Sequence, residues 1–240
     1  MVRSNGITAH RGNSGEHPEN TMAALRSAVT LGADWAETDV RVTSDGVLVL
    51  CHDAGTGRVG DRDLPIATTT YAELAEANVS AGHPGGPAKL ATLTEALVFF
   101  RDEGRGTRLS LQPKAEVVEE IFRLLDDLDA WPVIGFNDGS LPLMQQMRSR
   151  DPHVPVFWDR HAYASDAAFA EDLATAQAAG FDAMILRHDT VTPERVGLIK
   201  TAGLEPGAWT VNTVDEMAAL RAMGVHRFYT DYPARALTGR

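Results

Sequence analysis

Apolar residues recur along this chain in two alternating rhythms, and that alternation restricts the fold more than any other feature. Short β-rich runs at Ile7–His10, Trp35–Val42, Val47–His52, Arg108–Gln112, Val133–Phe136, Val154–Trp158, Ala183–Leu186, Pro206–Val211 and Arg227–Thr230 read as strands. Between them, Thr21–Leu31, Thr92–Glu103, Ala115–Leu128, Leu141–Arg150, Asp166–Ala179, Thr192–Ala202 and Val214–Met223 space apolar residues three or four apart, the repeat of a helix with one buried face. Asn20 or Thr21 suits the N-cap of the first helix, and Gly32, Gly180, Gly203 and Gly224 follow four helices where a positive φ is needed.

Such alternation implies crossover connections and a mostly parallel sheet. One exception stands at Thr43-Ser44-Asp45-Gly46, where an Asp-Gly turn joins two strands with no room for a helix. Counting that pair as one strand with a hairpin leaves eight β-units. The expectation is an α/β fold, a TIM (β/α)8 barrel with a β-hairpin extension of strand 2 and an insertion before strand 3. No Gly-x-Gly-x-x-Gly or Walker-type loop follows the first strand, which disfavours dinucleotide and P-loop folds. The insertion, residues 53–91, is rich in Gly, Pro, Ala and Thr and carries a short helix around Thr70–Glu76. At a loop end of a barrel such a segment is expected to form a lid or a pocket wall. No linker divides the chain, so residues 1–240 read as a single domain.

The net charge of −11, from 33 acidic and 22 basic residues, argues against nucleic acid or an anionic membrane surface as partner. No apolar run approaches the roughly 18 to 20 residues of a membrane span, so stable membrane insertion is not expected. Met-Val-Arg-Ser-Asn-Gly at the start has no apolar secretory core, which makes a cytoplasmic location the expectation. The one cysteine, Cys51, in Val-Leu-Val-Leu-Cys, reads as a small buried hydrophobe. The sequence carries no sign of oligomeric state.

Catalytic groups of a barrel collect at the C-terminal ends of its strands. Glu37 and Asp39, two apart on one strand, share a face with Cα atoms roughly 7 Å apart. Two carboxylates so close repel unless one keeps its proton or a cation joins them, and a hard divalent ion, Mg2+ or Ca2+, suits oxygen donors. His10 and His52 end strands in adjacent β-units and are candidates for a general acid and general base. Arg11 and Lys114 place positive charge at the same rim, as a phosphate group requires in an acidic protein.

His10-Arg11-Gly12, Pro18-Glu19-Asn20-Thr21, Gly32-Ala33-Asp34 with Glu37-x-Asp39-Val40, Asp45-Gly46 and His52-Asp53 together resemble the glycerophosphodiester phosphodiesterase family. Lys114, Trp209-Thr210-Val211-Asn212 and Thr230-Asp231-x-Pro233 extend the likeness more loosely over nearly the whole chain. The resemblance implies a TIM barrel that uses a divalent metal to hydrolyse a small glycerophosphodiester to glycerol 3-phosphate and an alcohol. It further implies His10 and His52 as the acid–base pair, Arg11 and Lys114 as phosphate contacts, and Glu37 and Asp39 as metal ligands. In this family the glycerol 2-hydroxyl is thought to attack phosphorus, and water opens the resulting cyclic phosphate. One position departs from the pattern: Gln112-Pro113-Lys114 stands where the family has Glu-x-Lys. The Gln112 carbonyl oxygen can still ligate a hard cation but brings no charge. Trp209 offers an amphipathic ring to glycerol carbons or a head group. Two other readings are a barrel of the same kind acting on lysophospholipid or phosphoinositol-type substrates, and one that Gln112 has weakened into a phosphodiester-binding module.

Overall fold

The computed structural model describes residues 4–80, 83 and 86–238. Met1–Arg3, at the start of the N-terminal stretch, lie outside the described residues, as do Ala81, Gly82, Pro84 and Gly85 of the predicted insertion and Gly239 and Arg240 of the predicted domain. The chain divides into two compact units, residues 9–134 and residues up to 8 together with 135 onward.

The strands and helices alternate in the expected sequence. They are β1 (Ile7–Ala9), α1 (Met22–Leu31), β2 (Trp35–Val42), β3 (Leu48–Leu50), α2 (Tyr71–Leu74), α3 (Leu93–Glu103), β4 (Arg108–Pro113) and α4 (Val118–Leu128). There follow β5 (Ile134–Asp138), α5 (Leu141–Arg150), β6 (Val156–Arg160), α6 (Asp166–Ala178), β7 (Ala183–Arg187), α7 (Pro193–Thr201), β8 (Glu205–Trp209), α8 (Val214–Ala222), β9 (Arg227–Thr230) and α9 (Pro233–Thr238). The strand order β1-β9-β8-β7-β6-β5-β4-β2-β3, with β1 also paired to β2, is that of a (β/α)8 barrel with β3 as the one extra strand.

In the first unit β2 is the organising strand. Its first six residues are buried, and it pairs parallel with β4 and antiparallel with β3. The hairpin forms as expected, Val40 opposite Leu50 and Val42 opposite Leu48. The extra strand is shorter than the predicted Val47–His52. At its last residue Leu50 N–H donates to Ala91 O, and just beyond it Cys51 N–H donates to Asp39 O, so His52 falls on the loop after the strand. Helix α1 is capped by Thr21, whose hydroxyl accepts from Ala24 N–H, and it closes on Gly32 in the left-handed region. Asn20, the other cap candidate, turns instead toward β2.

The insertion is structured. Thr70 and Glu73 form a reciprocal capping box on α2, and the helix predicted around Thr70–Glu76 is a single turn, Tyr71–Leu74. Val59, Ile66, Leu74, Val79 and Leu90 bury themselves with Val49 and Cys51 in a small core. Each such side chain removed from water contributes about 1.5–3 kcal/mol, enough to fix a segment that has almost no regular structure.

In the second unit β6, β7 and β8 pair in parallel, with Arg187 opposite Trp209. No described helix is long and apolar enough to cross a membrane.

Candidate active site

Strand alternation sends Glu37 and Asp39 to one face of β2, and the register with β4 sets Glu37 opposite Ser110 and Asp39 opposite Gln112. Both carboxylates are 1 % exposed, a costly arrangement unless each is compensated. Asn20 supplies part of the compensation. Its Oδ1 accepts from Thr38 Oγ1 at 2.6 Å and Asp39 N–H at 3.2 Å, which turns its Nδ2 to donate to Asp39 Oδ2 at 2.9 Å. Asn20 has φ +56°, a left-handed conformation that asparagine tolerates better than most residues.

A tight turn after β1 supplies the next partner. Gly12 N–H closes on Ala9 O, with Arg11 at φ +55° and Gly12 at φ +79°. A Cβ on Gly12 would lie 2.6 Å from the Ala24 carbonyl carbon, so glycine alone fits there. The turn aims Arg11 N–H at Glu37 Oε2, 2.9 Å away, and brings the guanidinium Nε to 3.3 Å from Asp39 Oδ2. Arg11 also donates to Glu19 Oε1 at 3.0 Å. Lys114 Nζ lies 3.4 Å from Asp39 Oδ1. Burial, and after it the charge of Asp39, pushes the Glu37 carboxyl up to about 7, while His10 and Arg11 pull the other way.

His52 is held by two residues. Arg41 donates through Nε and NH2 to the His52 carbonyl at 3.0 and 2.7 Å, and so pairs with neither buried carboxylate. Asp53 Oδ1 lies 2.6 Å from His52 Nδ1. Arg58 then donates to Asp53 Oδ2 at 2.6 Å and, bidentately, to both oxygens of Glu19 at 2.7 and 2.8 Å. Hydrogen bonds from Arg58 first, then His52, hold the Asp53 carboxyl down at about 2. Glu19 is also held low, the pull of Arg58 and Arg11 exceeding the opposing effect of burial.

Of the residues singled out in the sequence, Arg11, Glu37, Asp39 and Lys114 are thus in direct contact, with Gln112 beside them by register. His52 joins them through Asp53, Arg58, Glu19 and Arg11. Trp209 belongs to the second unit, where its Nε1–H donates to Arg160 O at 3.2 Å and its ring stands perpendicular to that of His161, centroids 4.9 Å apart. Four members of the cluster were given no place in the site by the sequence, Asn20 having been read as a candidate helix cap. Glu19 and Asn20 stood inside the Pro18-Glu19-Asn20-Thr21 motif and Asp53 next to a candidate histidine, whereas no pattern marked Arg58.

The donor chemistry fits a hard divalent ion. Asp39 Oδ1 is buried and accepts no hydrogen bond, and Glu37 sits two residues away on the same face. Among the described residues, however, no three of His, Cys, Asp and Glu come together as metal ligands. Gln112, opposite Asp39 in register, brings an uncharged amide where the family pattern described above has a glutamate.

A sequence profile of the glycerophosphoryl diester phosphodiesterase family matches residues 10–235. A glycerophosphodiester phosphodiesterase of Bacillus altitudinis is 29% identical, over 96% of each chain. The solved structure of an Oleispira antarctica phosphodiesterase in complex with the product sn-glycerol-3-phosphate is 27% identical, with a TM-score of 0.84 over 97% of this chain and 95% of that one. The glycerophosphodiester phosphodiesterase of Thermotoga maritima, 20% identical, shares the fold with a TM-score of 0.80 over the whole of both chains.

Proposed function

The chain belongs to the glycerophosphoryl diester phosphodiesterase family and is a phosphoric diester hydrolase, and from that premise we propose that it cleaves small glycerophosphodiesters to sn-glycerol 3-phosphate and an alcohol with His10 and His52 as proton carriers and a divalent metal. The observation that carries this reading is the buried Glu37–Asp39 pair with Arg11 and Lys114 against it and His10 next to Arg11 in the turn after β1. The product bound to the Oleispira antarctica relative supports the glycerol phosphate half of the substrate.

Arg11 and Lys114 meet the phosphoryl oxygens, and their positive charge offsets the charge that develops there. One histidine accepts the proton of the glycerol 2-hydroxyl as that oxygen bonds to phosphorus. The bond from phosphorus to the head-group oxygen breaks, and the other histidine donates its proton to the departing alkoxide. Water then opens the cyclic phosphate with the two roles exchanged. The Asp53 contact at Nδ1 leaves Nε2 of His52 as the atom that holds or releases the proton. Glu37, Asp39 and the Gln112 amide oxygen would hold Mg2+ or Ca2+, which when bound supplies Lewis-acid neutralisation of the phosphoryl charge.

A coupled assay for released glycerol 3-phosphate from glycerophosphocholine tests this. His10→Ala and His52→Ala should each lower kcat by about 10²- to 10⁴-fold, and EDTA should abolish turnover until Mg2+ or Ca2+ is restored. Wild-type rates in both variants overturn the mechanism. Gln112 favours one second reading, a barrel that retains phosphodiesters without turning them over. Calorimetric binding of glycerophosphocholine with no product release would establish that reading. Gln112→Glu should tighten divalent binding about tenfold or more, because ligand charge sets affinity at oxygen sites. Equal affinity in both proteins removes Gln112 from the ligand set.

A further inference from the structure

We propose that Arg58, contributed by the insertion, is a positioning residue that fixes the imidazole of His52 through Asp53; this rests on the acid–base role proposed for His52. All three guanidinium nitrogens of Arg58 are bonded to carboxylates, Nε to Asp53 and NH1 and NH2 to the two oxygens of Glu19. Its charge is thereby shared between two anions, which makes it a bracket and not a cation presented to phosphate. Asp53 without Arg58 could rotate about its side-chain torsions. With one oxygen held by Arg58 at 2.6 Å, the other is fixed at 2.6 Å from His52 Nδ1.

A carboxylate fixed at Nδ1 selects the neutral tautomer that carries its proton there and leaves the Nε2 lone pair in place for chemistry. The far end of the bracket is equally anchored, because Glu19 also accepts from Arg11, whose backbone N–H and guanidinium face Glu37 and Asp39. His52 is therefore tied to the carboxylate pair by one chain in which carboxylates and guanidinium groups alternate: Asp53, Arg58, Glu19, Arg11, Asp39.

The loop that carries Arg58 is rigid enough for the task. Thr56 ties it together: its carbonyl accepts from Val59 N–H and Gly60 N–H, and its hydroxyl donates to Arg62 O while accepting from Leu64 N–H. Val59, next to Arg58, is buried in the core of the insertion. A Cβ on Gly57 would come within 2.7 Å of the Asp63 side chain, so the approach of the two limbs of the loop is close. The cavity between Val59, Glu19 and His52 measures about 10 Å³, room for no more than about one water.

The test compares Arg58→Ala, Arg58→Lys, Asp53→Asn and the double variant Arg58→Ala/Asp53→Asn in the full-length enzyme. Arg58→Ala should lower kcat for glycerophosphocholine by about 10- to 100-fold, the range seen when a partner of an oriented histidine is lost, with KM changed less. Arg58→Lys should recover part of the loss. The double variant should be no slower than Asp53→Asn alone. Imidazole 15N shifts of His52 should show that the Nδ1–H tautomer no longer dominates in Arg58→Ala. An unchanged tautomer, or a loss in the double variant equal to the product of the single losses, overturns the proposal. If Arg58→Ala does not fold, Arg58→Lys gives the same decision from its tautomer and its kcat. His52→Ala separates this inference from the reading beneath it. Full activity there removes the catalytic role of His52, while the 15N shifts still decide whether Arg58 orients the ring.

Discussion

Glu37 concentrates the electrostatic cost of the site in one carboxyl. Its folded value, pushed up to about 7 by burial and by Asp39, stands above the ordinary 4.5, so the folded protein binds the proton more tightly than the unfolded chain does. The sign follows: this contribution to stability is full below about 4.5 and is lost as pH rises through about 7. Urea unfolding of the metal-free protein should show stability falling across that window by up to about 3 kcal/mol, at 1.36 kcal/mol per unit. Glu37→Gln should flatten the slope, and an equal slope in the variant would detach the effect from this residue. A divalent ion held by Glu37, as proposed, would compete with the same proton, and its affinity should then rise with pH up to about 7. Asp53 runs the opposite way. Held near 2, it stabilises the fold above its ordinary value near 4 and ceases to do so as pH falls through about 2, though partial exposure makes the contribution small.

At the scale of elements, the turn after β1 and the strand β2 make the site together. Gly12→Ala would place a methyl 2.6 Å from the Ala24 backbone at a φ of +79°, and the turn would have to open. Such a change should destabilise by about 1–3 kcal/mol, the cost of a strained backbone position, and should raise KM, because Arg11 leaves its place over Glu37 and Asp39. Thermal unfolding and steady-state kinetics check both halves. These elements were legible in the sequence because their patterns are local. Apolar alternation marked β2, Asp45-Gly46 marked the hairpin, and His10-Arg11-Gly12 marked the turn. The insertion was legible only as a gap in periodicity. Its order comes from side chains far apart in sequence, such as Val49 and Leu90, meeting in a small core, and from Thr56 and Arg58, whose partners lie up to 39 residues away. Asn20 shows the same limit at closer range. Its residue type suited a helix cap equally well, and only the three-dimensional approach of Thr38 and Asp39 decides between the two uses.

For the molecule as a whole, a net charge of −11 accompanies a site that is proposed to receive an anion. Long-range repulsion and local attraction then act on the same substrate over different distances. For an anionic diester such as glycerophosphoglycerol, kcat/KM should rise about two- to fivefold as the Debye length shrinks from about 30 to about 8 Å with added salt. Zwitterionic glycerophosphocholine should respond less. A fall for the anionic substrate would mean that the field at the mouth is attractive and that Arg11 and Lys114 dominate at long range.

The place of Arg58 also bears on how this barrel can diversify. The segment that begins at Asp53 has little regular structure, and loops of that kind are where a barrel usually acquires new binding preferences. It is also the segment that carries both the carboxylate and the guanidinium attached to His52. A loop exchanged with a relative would import a preference and remove a catalytic support in the same step. Grafts that keep the stretch from Asp53 to Arg58 and vary only the residues beyond Arg58 are the ones expected to separate the two.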